Sequence, residues 1–384
     1  MIGVDPRGTT IMENKFRHFL INLYGLTFRQ AAIIKQEMLA RGAEAAVSWK
    51  VCSWDNSGPD DEYEALLTGT LRQYQEVIAK LRQQPFGLSE IASAIEASLT
   101  NYEREKFAPM VIKNKTYDFN SRTYLMGIIN LTPDSFSNDG LYGVNLIERA
   151  LRQATQMVAD GADFLDLGAE STRPGFQRVD DAEEARRLLP VLKELVAAVN
   201  VPISVDTSKP AIAEKAVNLG AAFINDIWGL QSPEDPECRM AQIIGSSKIP
   251  VVVMHNRTKP AYQFLIKEIV ESLSISMEIA ARYGASAEQI IVDPGIGFGK
   301  SYADNIKTLQ NMDQLKVLGR PILLGVSRKS VIGETLNLPA EERVEGTIAA
   351  TVWGIATGGV DIIRVHDVKA ISRAVKICDA LNQK

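Results

Sequence analysis

One repeat constrains this chain more than any single residue. Eight times between residues 124 and 367 a short apolar run of strand character ends in a polar or charged side chain, and a loop and a helical pattern follow nearly every one. The runs are YLMGIIN ending at Asn130, FLDLGAE ending at Glu170, PISVDT with Asp206 near its end, and FINDI with Asn225 and Asp226. They continue with PVVVMHN (His255, Asn256), IIVDPG (Asp293), PILLGVSRK (Arg328, Lys329) and IIRVHD (Arg364, His366, Asp367). Strands alternating with helices imply a parallel sheet covered by helices. Eight such units predict an α/β fold of the (β/α)8 TIM-barrel type, in which chemistry sits at the C-terminal ends of the strands. Continuous apolar runs suit strands covered on both faces.

At 384 residues the chain exceeds the roughly 250 that such a barrel takes, so a second, smaller domain is expected. With 42 basic and 47 acidic side chains the net charge is −5, which gives no electrostatic footprint for a nucleic acid. An anionic substrate would need local Arg and Lys clusters rather than the global field. Cys52, Cys238 and Cys378 are widely separated, without metal or redox spacing, and read as small buried hydrophobes in a reducing cytosol. There is no apolar stretch of about 20 residues and no signal-peptide core at the start, so the expectation is a cytoplasmic protein away from membranes.

Residues 1–15 read as a disordered tail and 1–115 as a small α+β domain. Thr27 is placed to cap a helix reaching about Arg41. EAAVSWKVCSW and YEALLTGT read as strands, and two helices are expected over Leu71–Gln83 and Leu88–Leu99. The polar residues of this domain are scattered, so a docking, dimerisation or regulatory role is favoured over ligand sensing. Residues 116–384 carry the repeating units. LIERALRQATQMVADG is amphipathic at helical spacing. Asp180-Asp181 offers an N-cap to a second such helix, which Pro190 is expected to kink or break.

Several rim segments carry chemistry. DPGIGFGKS, Asp293 to Ser301, fails the P-loop pattern, because Pro294 stands five residues before Gly299, and it fails GxGxxG. It remains a glycine loop that lets backbone approach a ligand or turn tightly. ESTRPG, Glu170 to Gly175, reads either as a structural turn or as a loop whose Arg173 meets an anion. Asp206, Asn225 and Asp293 at one rim are costly to bury unless they meet cations or donors. Together they suit a ligand rich in N–H groups, such as a fused heterocycle with an amino-pyrimidinone edge. Arg364 and His366 alternate on the last strand and therefore share a face. His255 is left open between site and core. No GxSxG elbow supports a serine hydrolase.

With these segments assembled, residues 122–384 resemble the dihydropteroate synthase family of pterin-binding enzymes, over essentially that family's whole length. The matching stretches are GIINLTPDSFSNDG (127–140), DLGAESTRPG (166–175), SVDTSKP (204–210), DPGIGFGK (293–300), GVSRKS (325–330) and RVHD (364–367). The resemblance implies a pterin pocket of Asp166, Asp206, Asn225, Asp293, Lys329 and Arg364, with Asp206, Lys329, Arg364 and His366 as catalytic groups. It implies Mg²⁺ at Asn130, and pyrophosphate held by Asn130, Arg173, Arg364 and His366. Phe136, Thr172, Pro174, Phe298 and Ser330 would shape the p-aminobenzoate site. The implied reaction joins 6-hydroxymethyl-7,8-dihydropterin pyrophosphate to p-aminobenzoate and releases pyrophosphate, on the route to folate. Similar enzymes are usually homodimers. Two positions depart from the family pattern. Ala169 stands where a second Gly often precedes the loop, and would stiffen its hinge. Ile296 stands where an aromatic is common, and would soften the arylamine pocket.

Two rivals share the pterin pocket. A corrinoid-dependent methyltetrahydrofolate methyltransferase would account for Asp206, Asn225 and Asp293 but not for ESTRPG, SRKS or the pyrophosphate-side Arg and His. A non-catalytic pterin-binding protein would not need both loops and Lys329.

Overall fold

The computed structural model describes residues 5–54, 62–103, 108–131, 144–170 and 179–382. Two compact units divide between Glu103 and Arg104. The first contains α1 (Pro6–Phe16), β1 (His18–Leu26), α2 (Phe28–Leu39), β2 (Glu44–Val47), α3 (Trp49–Cys52), β3 (Tyr63–Thr70), α4 (Leu71–Leu81) and α5 (Leu88–Glu103). Its antiparallel sheet runs in the order β1-β3-β2. Tyr63, Ala65 and Leu67 alternate with exposed residues along β3 and pack onto Ile34, Tyr74 and Ile95 of the helices. Reciprocal capping boxes, Thr27 with Gln30 and Thr70 with Gln73, start α2 and α4.

Three expectations for this unit change. Residues 6–16, expected in a tail, form α1, with Pro6 at its first position, where the missing N–H costs nothing. EAAVSWKVCSW is a strand only as far as Val47. Val47 pairs with Ala65, close to the start of β3, so little partner backbone remains and the chain turns into α3. Cys52 is exposed at the end of this surface helix, while Cys238 is half-buried and Cys378 buried.

The second unit opens with a hairpin, β4 (Met110–Ile112) and β5 (Lys115–Tyr117), turning through Lys113 and Asn114, both at positive φ. Eight parallel strands follow: β6 (Tyr124–Asn130), β7 (Phe164–Gly168), β8 (Ile203–Asp206), β9 (Phe223–Asp226), β10 (Val251–Met254), β11 (Ile290–Asp293), β12 (Leu323–Leu324) and β13 (Ile362–Val365). They pair in the order β11-β10-β9-β8-β7-β6-β13-β12, and a parallel bridge between Val292 and Ile322 closes the ring. The outer helices are α6 (Val144–Ala159), α7 (Asp181–Ala198), α8 (Pro210–Asn218), α9 (Arg239–Ser247), α10 (Leu265–Arg282), α11 (Tyr302–Gln310), α12 (Ser330–Leu336), α13 (Val344–Gly358) and α14 (Val368–Asn382). This is the TIM barrel expected from the repeat.

Three details differ from the sequence reading. The boundary, expected near residue 115, falls between Glu103 and Arg104, so the hairpin belongs to the barrel unit. Its Met110, Ile112 and Tyr117, with Phe119, plug the bottom of the barrel against Tyr124, Phe164, Phe223 and Ile362. Helix α7 is not broken at Pro190. PILLGVSRK is a regular strand only at Leu323–Leu324, with Ile322 as a single bridge before it, and Ser327-Arg328 form a turn in which Arg328 takes φ 57°. Among the described residues no helix is long and apolar enough to cross a membrane.

Candidate active site

The register places the polar groups at one end of the barrel. Asp206 ends β8 beside Asn225 on β9, Asp293 ends β11 opposite Met254 of β10, and Asn130 ends β6 opposite Gly168 of β7. Asp166 lies deeper, at the middle of β7, and is fully buried. Arg364 reaches across from β13. Its Nε donates to Asp166 Oδ2 at 2.5 Å and its Nη2 to Asp206 Oδ2 at 2.7 Å. Asn225 Nδ2 donates to the same Asp166 oxygen at 3.1 Å. Two buried acceptors, Asp166 Oδ1 and Asn225 Oδ1, meet no donor among the described residues. Buried acceptors are rarely left so, and these two face a ligand's donors most economically.

Lys329 enters from the other side. Its Nζ donates to the carbonyl of Ile296 and lies 4.6 Å from the centre of the Phe298 ring. Ser330, exposed, begins α12 immediately after it. The glycine loop permits this approach. Gly295 has φ 69°, and a Cβ there would lie 1.9 Å from the His255 carbonyl. Asp293 Oδ1 accepts from the Gly295 N–H at 2.7 Å. Ile296 itself is fully buried in the barrel core, and its carbonyl accepts from Lys329 Nζ. Ala169 is likewise fully buried.

Burial and charge set the protonation states. Burial pushes the Asp206 carboxyl up to about 7, with Arg364 opposing and Asp166 and Glu184 adding to the rise. Burial also raises Asp293, against the pull of Lys329 and the Gly295 N–H. Lys329 is brought down to about 8 by burial, with Asp293 resisting. Burial disfavours the Arg364 cation too, but Asp166 and Asp206 outweigh it and hold the guanidinium charged.

His366 sits beyond β13, its Nε2 3.3 Å from Asn130 Nδ2 and its Nδ1 3.0 Å from Ser327 Oγ. Its neighbour Arg328 makes a bidentate pair with Asp367 at 2.6 and 2.9 Å, which holds the left-handed turn. Asn130 faces His366 with its amide nitrogen and so has one side-chain oxygen to offer a metal. Among the described residues no group of three His, Cys, Asp or Glu could hold an ion. That donor set fits Mg²⁺ only as an ion carried mainly by substrate phosphate oxygens and water. Phe136, Thr172, Arg173 and Pro174 lie outside the described residues.

The sequence reading missed several groups. His255 is not at the open mouth: it is buried, with Nδ1 2.8 Å from Lys300 Nζ. Burial, then the charges of Lys300 and Arg257, hold it far below the usual imidazole range, at about 3. Lys300 also donates to the carbonyls of Gly295 and Phe298, at 3.1 and 3.3 Å, and so fastens the glycine loop. Asp226, beside Asn225, points the other way and accepts from the N–H groups of Trp228 and Leu230 at 2.9 and 2.7 Å. Strand alternation carries the signal for Asp226; the pairing of His255 with Lys300, 45 residues apart, carries none.

A closed eight-stranded barrel whose mouth gathers buried carboxylates, an amide and a trapped guanidinium is a small-molecule enzyme site for a nitrogen-rich ring. The family model described as pterin binding enzyme matches residues 126–366, and the chain belongs to that family. The dihydropteroate synthase of Clostridium beijerinckii is 45% identical over 272 residues, which are 71% of this chain and 99% of that protein. A probable bifunctional folylpolyglutamate synthase/dihydropteroate synthase of Halobacterium salinarum is 36% identical over 387 residues, 98% of this chain and 44% of that protein, so this likeness includes the N-terminal unit. The crystal structure of the Clostridium difficile dihydropteroate synthase in the presence of pteroic acid superposes with a TM-score of 0.67 at 46% identity, covering 70% of this chain and all of that one.

Proposed function

We infer that this chain is a dihydropteroate synthase, an enzyme of folate biosynthesis. It joins 6-hydroxymethyl-7,8-dihydropterin pyrophosphate to p-aminobenzoate, giving 7,8-dihydropteroate and pyrophosphate. The observation that carries this reading is the pair of buried acceptors that meet no donor among the described residues, Asp166 Oδ1 and Asn225 Oδ1, beside the Arg364–Asp206 contact. A pterin ring supplies the N–H groups they lack. The pteroic acid named with the Clostridium difficile structure is a pterin joined to aminobenzoate, which supports the same substrate pair here.

Each residue has a role in the proposed chemistry. Asp206, Asn225 and Asp293 orient the pterin through its donors, and Lys329 reaches its carbonyl side. When the bond from the pterin methylene to the pyrophosphate oxygen breaks, positive charge spreads into the ring, and Asp206 and Asp293 offset it. The departing pyrophosphate is assigned to Asn130, His366, Arg173 and Arg364. Asn130 would hold Mg²⁺ through its side-chain oxygen, and the ion would supply charge neutralisation for the leaving group. The amine of p-aminobenzoate then attacks the methylene, a C–N bond forms, and the amine gives up a proton. Phe298 and Ser330, with Phe136, Thr172 and Pro174, shape the arylamine side. No protein nucleophile takes part. Cys52, Cys238 and Cys378 form no disulfide among the described residues, which suits a cytoplasmic enzyme.

The deciding experiment is a coupled assay of pyrophosphate release from the pterin pyrophosphate, with and without p-aminobenzoate. Formation of dihydropteroate that depends on both substrates supports the reading. Methyl transfer from methyltetrahydrofolate to a corrinoid protein, with no dihydropteroate formed, would replace it with the methyltransferase.

A further inference from the structure

Two titratable groups beside the glycine loop, Lys300 and His255, have no part in the proposed chemistry, and their geometry fixes where each carries its proton. Lys300 Nζ has three acceptors in reach: His255 Nδ1 at 2.8 Å, the Gly295 carbonyl at 3.1 Å and the Phe298 carbonyl at 3.3 Å. An ammonium carries three N–H donors and an amine only two. Lys300 donates all three bonds at once only when charged, with His255 Nδ1 bare and the ring proton on Nε2. His255 is buried and stays neutral down to about 3, so its Nδ1 can accept. A neutral Lys300 would need the opposite tautomer, in which His255 Nδ1–H donates to the amine. Burial, then Lys329 and Arg257, draw Lys300 down to about 7, while Asp293 and Asp304 support its charge.

The loop that Lys300 holds is the one on which Lys329 rests. Between the two carbonyls taken by Lys300 stands Ile296, whose own carbonyl accepts from Lys329 Nζ. The Phe298 ring lies 4.6 Å from the same nitrogen. Two further donor–acceptor pairs fix the loop. The Gly297 N–H donates to Asn305 Oδ1 at 2.6 Å, and Tyr262 Oη donates to the Gly299 carbonyl at 2.8 Å. A Cβ at Gly297 would lie 3.1 Å from Lys329 Cδ, so the fit between loop and side chain is close. The carbonyls of Gly295, Phe298 and Gly299 are thus held by Lys300 and Tyr262, while that of Ile296 meets Lys329.

We propose that Lys300 is a positioning residue for Lys329: charged and anchored on His255, it fixes the glycine loop so that the Ile296 carbonyl and the Phe298 ring hold the Lys329 ammonium at the carbonyl side of the pterin. The proposal rests on the reading of the pocket given above, in which Lys329 touches the substrate. Lys300 touches none and acts through the loop backbone. Its loss therefore weakens pterin binding only where Lys329 is present to be misplaced.

Two measurements on the full-length protein test this. The chain has three histidines, so nitrogen NMR can assign the ring of His255 in the parent. Below the Lys300 value of about 7, Nδ1 is expected bare and Nε2 protonated. A protonated Nδ1 under those conditions overturns the proposal. The second measurement is a double-mutant cycle on the Kd for the pterin pyrophosphate. Lys300→Met should raise that Kd about tenfold, and by less than about twofold in a Lys329→Met background, because the residue it acts through is gone. Equal fold losses in both backgrounds would make Lys300 merely structural, and an unchanged Kd in folded Lys300→Met would leave it idle; either result overturns the proposal. His255→Leu keeps both carbonyl bonds and replaces Lys300→Met in the cycle if that variant does not fold. It should raise the Kd about threefold, with the same dependence on Lys329. A parent that binds no pterin pyrophosphate overturns the reading of the pocket and this proposal with it, an outcome distinct from a parent that binds and a variant that binds equally well.

Discussion

Arg364 Nη2 donates to Asp206 Oδ2 at 2.7 Å, so the strongest cation of the barrel mouth is neutralised inside the protein. The same guanidinium holds Asp166 at 2.5 Å through Nε. Two carboxylates and one guanidinium leave net negative charge next to Asp293, which is the polarity a cationic pterin intermediate needs.

Altering either sign of charge in the pterin pocket should slow the reaction. Asp206→Asn and Lys329→Ala are each expected to lower turnover at least tenfold (about 1.4 kcal/mol or more of barrier). Steady-state pyrophosphate release measures this, and near-normal rates in either variant would refute the assignment.

The pH profile follows from the same pair. Asp206, raised to about 7, becomes neutral below that value and loses its charge toward the pterin, so kcat/KM should fall on the acid side. Lys329, lowered to about 8, loses its proton above that value, so kcat/KM should fall on the alkaline side as well. A bell between the two is expected. Lys329→Arg, which stays protonated, should push the alkaline limb upward, whereas an unmoved limb would assign it to another group.

Chelation of divalent metal should abolish pyrophosphate release, because one amide oxygen at Asn130 cannot replace the charge of an ion. Added Mg²⁺ should restore it. Full activity in the presence of chelator would remove the metal from the mechanism.

Gly295→Ala places a Cβ 1.9 Å from the His255 carbonyl, at a φ of 69°. The left-handed backbone alone costs about 1–3 kcal/mol, and the collision adds to it. Denaturant melts of the barrel should show the loss; an unchanged midpoint would mean that the loop rearranges freely.

Truncation should distinguish two starting points. A chain beginning at residue 104 keeps the hairpin and is expected to fold and turn over. One beginning at 118 exposes Tyr124, Phe164 and Phe223, which the hairpin covers, and should melt several degrees lower. Equal melting of the two would show that the plug is dispensable.

The barrel was legible because its signal is periodic. Each strand repeats the same apolar pattern, and the residue that breaks it sits at a strand end by construction of the fold. Asp206, Asn225, Asp293 and Arg364 were readable for that reason. The hairpin was not. Met110–Ile112 and Lys115–Tyr117 are too short for a period, and only the aromatic floor beneath them makes them part of the barrel. Pro190 does not end its helix, because α7 continues to Ala198 and the packing of Leu188, Val191, Leu192 and Leu195 against the barrel outweighs one missing backbone bond. Cys52 misled because a four-residue helix at the surface has no interior in which to bury it.

The sequence by itself determined the number of barrel strands, the rim on which polar groups gather, and the family, since all three reside in local pattern and motif. Tertiary structure alone decided which charges face each other. Arg364 meets Asp166 and Asp206 across 198 and 158 residues of chain, His255 meets Lys300, and Lys209 lies between Glu170 and Glu184. Such pairings depend on the closure of the ring and on the depth of each side chain within it. A strand's own residues encode neither, because both are set by how the neighbouring strands are staggered around the barrel.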